Sequence, residues 1–144
     1  MPRGLPPPEV LSFLRRPNPA VIATLRADGA PHTAPTWYLV EDDGTILLNA
    51  AAGRVRLAHL ARDPRASLSV VGGAGWERHV TVTGQIVRTA ADPAVADMDR
   101  IARHYTGRPH PRRDAPRVST WLAVEAWHGW DPAAGDVWRA VETA

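Results

Sequence analysis

Neither cysteine nor lysine occurs anywhere in the 144 residues. The first absence excludes disulfides, thiolate metal sites, iron–sulfur clusters and a cysteine nucleophile, and it leaves any metal to histidine and carboxylate. The second excludes Schiff-base chemistry through a lysine side chain. Serine-nucleophile motifs and paired catalytic carboxylates are also missing. No stretch approaches the ~18 consecutive apolar residues of a membrane-spanning helix, and the opening Met1-Pro2-Arg3-Gly4-Leu5-Pro6-Pro7-Pro8 lacks the apolar core of a secretory signal. The expectation is a cytoplasmic chain with no membrane partner, whose chemistry is done by a bound cofactor.

What is present is ordinary globular composition, 44% apolar and 22% charged, in a length that fits one domain spanning 1–144. All 17 basic residues are arginine, against 15 acidic ones, for a net charge of only +2. The acidic residues are interspersed, and no continuous basic stripe with interleaved aromatics appears, so nucleic acid is not an expected partner. The six histidines show no metal spacing: His104 and His110 are separated by a Gly-Arg-Pro turn, and neither His-x-x-His nor His-Glu-x-x-His occurs. His32 and His79 are able to polarise a substrate or a cofactor carbonyl, or to serve as hydrogen-bonded structural residues.

Residues 8–16 read as a short helix with Val10, Leu11 and Leu14 on one side, closed by Pro17. The β-branched run 20–25 and the Asp28-Gly29 turn signal open a hairpin whose second strand runs from about His32 to Val40. Pro35 marks that strand as an edge or a bulge. A turn at Asp43-Gly44 leads into 45–49, and the three strands read as an antiparallel meander. Leu57, Leu60 and Ala61 then repeat at helical spacing until Asp63-Pro64. Residues 66–70 and 80–87 alternate as half-buried strands, with Gly84 marking a bulge or a bend at a barrel corner. Asp92-Pro93 signals the start of the longest helix, with Val95, Met98, Ile101, Ala102 and Tyr105 on one face, ended by Gly107. Residues 108–116 form a loop, and 118–127 return to strand. Trp121 and Trp127 share a face there, with Trp130 just beyond, which suggests a subunit interface. The whole reads as a mainly β fold of six or seven antiparallel strands with about three peripheral helices in a small barrel. The lead-in covers 1–19, the barrel 20–130 and a tail 131–144.

The chemistry concentrates after the third strand. Asn49, Ala50, Ala51 and Gly53 are followed by Arg54 and Arg56 at the start of a helix. Small residues allow close approach, unpaired helix-start amides face outward, and two guanidinium groups stand beside them, which suits a phosphate. Positive side chains at a helix start oppose the macrodipole, and a bound anion resolves that conflict. The alternative is a solvated arginine pair on an ordinary strand-to-helix turn. Trp37 and Tyr38 on the second strand, and Trp76 just past the glycine-rich connection Gly72-Gly73-Ala74-Gly75, are able to stack on or border a planar ring, or to pack in a core or a subunit interface.

The runs 23–32 and 34–38, then Gly53-Arg54-Val55-Arg56, residues 60–65, 77–84, 102–107 and His128-Gly129-Trp130, together resemble the flavin and deazaflavin oxidoreductases related to pyridoxamine 5′-phosphate oxidase. The likeness extends over nearly the whole chain from Ala20 and is greatest to the branch of F-420-dependent enzymes. It implies a split β-barrel homodimer with two cofactor sites at the subunit interface, taking coenzyme F-420, or alternatively FMN. By motif, Gly53 to Arg56 would hold the cofactor phosphate, with Asn49, Ala50 and Ala51 alongside. Thr36 and Trp37 would border the ring, and Trp76, Arg78 and His79 would approach from this or the partner chain. Arg56 stands where members of the branch usually have lysine, and His79 where they often have tyrosine. The implied activity is hydride transfer to a small conjugated molecule. An FMN oxidase or flavin reductase and a non-catalytic cofactor-storage protein are the alternatives.

Overall fold

The computed structural model describes residues 3–133, so most of the expected tail, 134–144, lies outside the described residues. Along the chain come α1 (Pro8–Leu14), β1 (Ala20–Leu25), β2 (Pro31–Thr36), β3 (Leu39–Val40), β4 (Ile46–Ala51), α2 (Val55–Arg62), β5 (Arg65–Val71), β6 (His79–Ala91), α3 (Ala96–Thr106) and β7 (Arg117–Trp130). The seven strands form one sheet in the order β2-β1-β5-β6-β7-β4-β3, antiparallel at every step.

The strand order dictates the shape. β2 and β3 are opposite edges of the sheet, yet only Trp37 and Tyr38 separate them in the chain. Three Cα steps reach roughly 11 Å at most, whereas the edges of a flat seven-stranded sheet lie roughly 29 Å apart. The sheet therefore curls until its edges face each other. Among the described residues β2 pairs only with β1 and β3 only with β4, so the barrel stays split along this seam.

Inward residues of β1, β4, β5, β6 and β7, among them Ile22, Leu48, Leu68, Val82, Leu122 and Trp127, fill the barrel. α1 plugs one end with Val10, Phe13 and Leu14, while Tyr38 donates from its hydroxyl to the Leu14 carbonyl at 2.6 Å. A second apolar cluster seats α3 on the outer face through Met98, Ile101 and Ala102 against Leu47 and Trp121. Among the described residues no helix is long and apolar enough to cross a membrane.

Several local expectations change. The strand expected over 32–40 is two strands on opposite edges of the sheet, because the chain crosses the seam at Trp37-Tyr38; the meander is therefore interrupted there. α1 buries Phe13 in place of Leu11, and α2 buries His59 while Ala61 is exposed, since Thr24 Oγ1 lies 2.9 Å from His59 Nδ1 and satisfies it. Gly84 does mark a bulge: Thr83 opposes Ala126 and Gly84 opposes Val124, which leaves Glu125 as an extra residue in β7. That extra residue reverses the side-chain alternation. Trp127 consequently points into the barrel core and Trp121 into the α3 cluster, so the two do not share a face and both are buried within the chain. α3 begins at Ala96, four residues after Asp92, behind Val95 in a left-handed conformation (φ 58°) that is uncommon for a β-branched residue. Asp92 still serves this helix start from a distance, its carboxylate accepting from the amides of Asp97 (3.2 Å) and Met98 (3.0 Å).

Candidate functional site

The seam opens into a cleft of about 600 Å³, within the range of small-molecule sites. Because alternate strand residues share a face, β2 lines one wall with His32, Ala34 and Thr36, flanked by Pro35 and Trp37. The facing wall is the end of β4 with Asn49, Ala50 and Ala51, continued by Arg54, Val55 and Arg56 at the start of α2. Met98 and Ile101 of α3 supply an apolar side, and Arg117 with His110 completes the rim. Trp37 is held by stacking on Tyr105, ring centroids 4.9 Å apart and planes 9° from parallel.

Seven of the residues singled out from the sequence thus meet in one cleft: Thr36, Trp37, Asn49, Ala50, Ala51, Arg54 and Arg56. Gly53 lies in the adjoining turn, where an added Cβ would meet nothing within 4 Å. Trp76, Arg78 and His79 are elsewhere. His79 opens β6, while the far end of that strand, at Ala91, pairs with Val118 beside the cleft. Twelve residue steps separate them, roughly 40 Å of strand. Trp76 is 80% exposed, Arg78 makes an ion pair with Asp131 at 2.8 Å and covers the Phe13 ring, and His79 Nδ1 lies 3.0 Å from the Glu77 carbonyl. Within one chain these three do not reach the cleft.

Positive charge gathers at the cleft's α2 end. Arg54 precedes the helix without a capping side chain, and no acidic residue stands in the first turn. Burial, together with repulsion from Arg54 and Arg117, holds the Arg56 guanidinium below its ordinary pKa. Arg117 is likewise lowered, chiefly by burial, with Asp92 opposing the shift. Both remain cations at neutral pH. Among the described residues no carboxylate lies within ion-pair distance of Arg54, Arg56 or Arg117. Such a cluster is relieved by an anion, and guanidinium forks match a phosphate bidentately.

Asn49 stands behind the cluster. Its Nδ2 donates to Asp92 Oδ2 (3.1 Å) and Ser119 Oγ (3.0 Å), its Oδ1 accepts from Arg117 Nε (2.7 Å), and its main-chain oxygen accepts from Arg56 Nη2 (2.8 Å). Ser119 Oγ in turn donates a hydrogen bond to Asp97 Oδ2 at 2.8 Å. The rim loop is fastened as well: Arg113 clamps Asp99 with two bonds (2.9 and 3.1 Å), and the His110 amide donates to the same carboxylate at 3.0 Å. Arg117, Asp92, Ser119, His110, Met98 and Ile101 were not visible as site residues in the sequence. Arg117 joins the cluster only because β4 pairs with β7, Ala51 opposite Arg117.

A seven-stranded antiparallel barrel, split along one seam that carries a cationic cleft, defines the class: a small split-barrel protein with a cofactor-sized site at the split. The chain belongs to the pyridoxamine 5′-phosphate oxidase family, whose sequence model it matches over residues 6–131. It is 32% identical over 108 residues to the F420H(2)-dependent biliverdin reductase of Mycobacterium tuberculosis (strain CDC 1551 / Oshkosh), a match covering 73% of this chain and 77% of that protein. Among solved structures, an F420 reductase superposes with a TM-score of 0.73 at 24% identity, covering 88% of this chain and 98% of that one. The General Stress Protein 26 of Bacillus anthracis str. Sterne superposes at 0.64 and 14% identity, covering 86% and 92%. These two structures share the fold.

Proposed function

We propose that this chain is an oxidoreductase that holds coenzyme F-420 by its phosphate in the seam cleft and passes hydride to a small conjugated organic molecule. The observation that carries the reading is the convergence of Arg54, Arg56 and Arg117 at one end of the cleft with no carboxylate paired to them among the described residues. The F420H(2)-dependent relative supports the deazaflavin over other phosphate-bearing groups. When bound, the deazaflavin supplies the hydride.

The chain's own residues bind and orient. Arg54, Arg56 and Arg117 grip the phosphate, and Ala50, Ala51 and Gly53 let it approach the backbone. Thr36 and Trp37 border the ring, and Met98 and Ile101 offer it an apolar, water-poor flank. The proposal includes a single domain acting as a cytoplasmic homodimer, with Trp76, Arg78 and His79 reaching the partner's cleft. FMN is the second reading, since the arginine cradle recognises a phosphate and not the ring attached to it.

Titration of purified protein with F-420 and with FMN decides between them. Micromolar or tighter binding of F-420, with oxidation of its reduced form by a panel of conjugated acceptors, is the expected result. A preparation that emerges yellow with FMN favours the second reading. Binding without turnover across the panel makes the chain a cofactor store, and binding of neither compound overturns the proposal.

A further inference from the structure

Asn49 lies on the cleft wall, but its polar atoms are directed into the protein. Nδ2 donates to two buried acceptors, Asp92 Oδ2 and Ser119 Oγ, and Oδ1 accepts a hydrogen bond from Arg117 Nε. An asparagine amide offers two donors and one two-lone-pair acceptor, so little of this side chain is left for a ligand. Asn49 itself is 8% exposed and Asp92 5%. Asp92 is the carboxylate that opposes the lowering of Arg117, yet no ion pair joins the two; Asn49 lies between them.

We propose that Asn49 is a positioning residue for the phosphate cradle, one that aims Arg117 through its side chain and Arg56 through its main-chain oxygen while keeping the Asp92 carboxylate one residue away from the guanidinium groups. This rests on the phosphate-cradle reading above. The arrangement solves a physical problem. Two repelling guanidinium groups need partners to hold them still, but a directly paired carboxylate would occupy the donors that an incoming anion requires. A neutral amide between carboxylate and guanidinium orders the cation at its Nε edge and leaves the terminal nitrogens of Arg117 for the ligand. Asp92 also receives the amides at the start of α3, so the cradle is tied to the helix whose Met98 and Ile101 line the same cleft.

The test is a double-mutant cycle on binding, with F-420, FMN and inorganic phosphate as probes. Asn49→Ala removes Oδ1 but keeps the main-chain oxygen. The expected result is a loss of affinity of about tenfold in the parent background, comparable to one charge-assisted hydrogen bond. That loss should vanish when Arg117→Ala is already present and persist when Arg56→Ala is present. Where Asn49→Ala proves too unstable, Ser119→Ala takes its place, removing one of the two acceptors that hold the amide, with a smaller loss expected and the same dependence on Arg117. A readout free of ligand accompanies the cycle: the Arg117 Nε proton should exchange slowly in the parent protein and rapidly in Asn49→Ala by NMR. Equal exchange in both proteins, or an affinity loss that persists undiminished in the Arg117→Ala background, overturns the inference while leaving the cradle standing. Binding of none of the three probes by the parent overturns the cradle reading, and this inference with it.

Discussion

Arg56 is held beside two like charges, half buried, with the Asn49 carbonyl as its hydrogen-bond acceptor. Its removal should therefore cost little stability and much affinity. Arg56→Ala and Arg54→Ala are each expected to weaken phosphate-cofactor binding by about 1.5–3 kcal/mol, roughly one to two decades in Kd, as read by calorimetric titration. These two arginines were legible in the sequence because they sit together at one strand-to-helix turn, where local spacing is enough. Arg117 was not, because its place depends on a pairing with Ala51, 66 positions earlier in the chain. His59 is hidden from the sequence for a different reason. Helical spacing marks apolar residues, and His59 is buried through a polar partner, Thr24. Burial first, then His32, Arg62 and Arg26, hold its pKa below the ordinary 6.5. A histidine lowered in the folded state binds its proton later than the unfolded chain does, so the stability it contributes is complete above about pH 6.5 and falls as the pH drops below that. Thermal unfolding between pH 8 and pH 5 should show this decline, and His59→Gln should flatten it.

Strand alternation is readable only while no residue is added, and β6 and β7 each carry one extra. Glu125 displaces β7 and Val87 displaces β6, as the shifts from Thr83/Gly84 and Ile86/Arg88 show. Because of the first shift, Trp121 and Trp127, whose even spacing suggests one face, face opposite ways. The signal for the bulge was nonetheless present in Gly84. A Cβ at that position would lie 1.8 Å from the Ala123 carbonyl oxygen, a main-chain atom and not the end of a flexible side chain. Gly84→Ala is accordingly expected to destabilise the protein by ~3 kcal/mol or more in denaturant unfolding, while Gly53→Ala, with open space at its Cβ, should leave stability unchanged. The start of α3 shows a related limit. Asp92 has the chemistry of a cap and does receive two helix-start amides, but the chain inserts Pro93, Ala94 and the left-handed Val95 before the helix begins. Residue type announced the cap and could not give the distance.

At the scale of the molecule, the number of strands, their antiparallel sense and the three helices were legible from turn signals and periodicity, whereas the strand order was not. That order is set by which edges curl together, a property of the whole sheet. The separation of Trp76, Arg78 and His79 from the cleft bears on assembly. If these side chains serve the site, a second copy brings them there, and sedimentation equilibrium should give twice the mass of the chain. Trp76, 80% exposed here, should then shift its emission to the blue on association, a change that Trp76→Phe removes. The seam has one further consequence. A barrel left open carries two strands whose outer hydrogen-bonding groups are unclaimed, and such edges recruit other chains into growing sheets. In β2 the residues Pro31, Thr33 and Pro35 alternate with the ones on the cleft wall, and two of the three have no amide proton to offer. Imino acids thus leave the edge at the site's doorway with few amide donors for an added strand. Pro35→Val, which restores a donor to the open edge, should raise light scattering and thioflavin fluorescence on prolonged incubation under conditions where the parent stays clear.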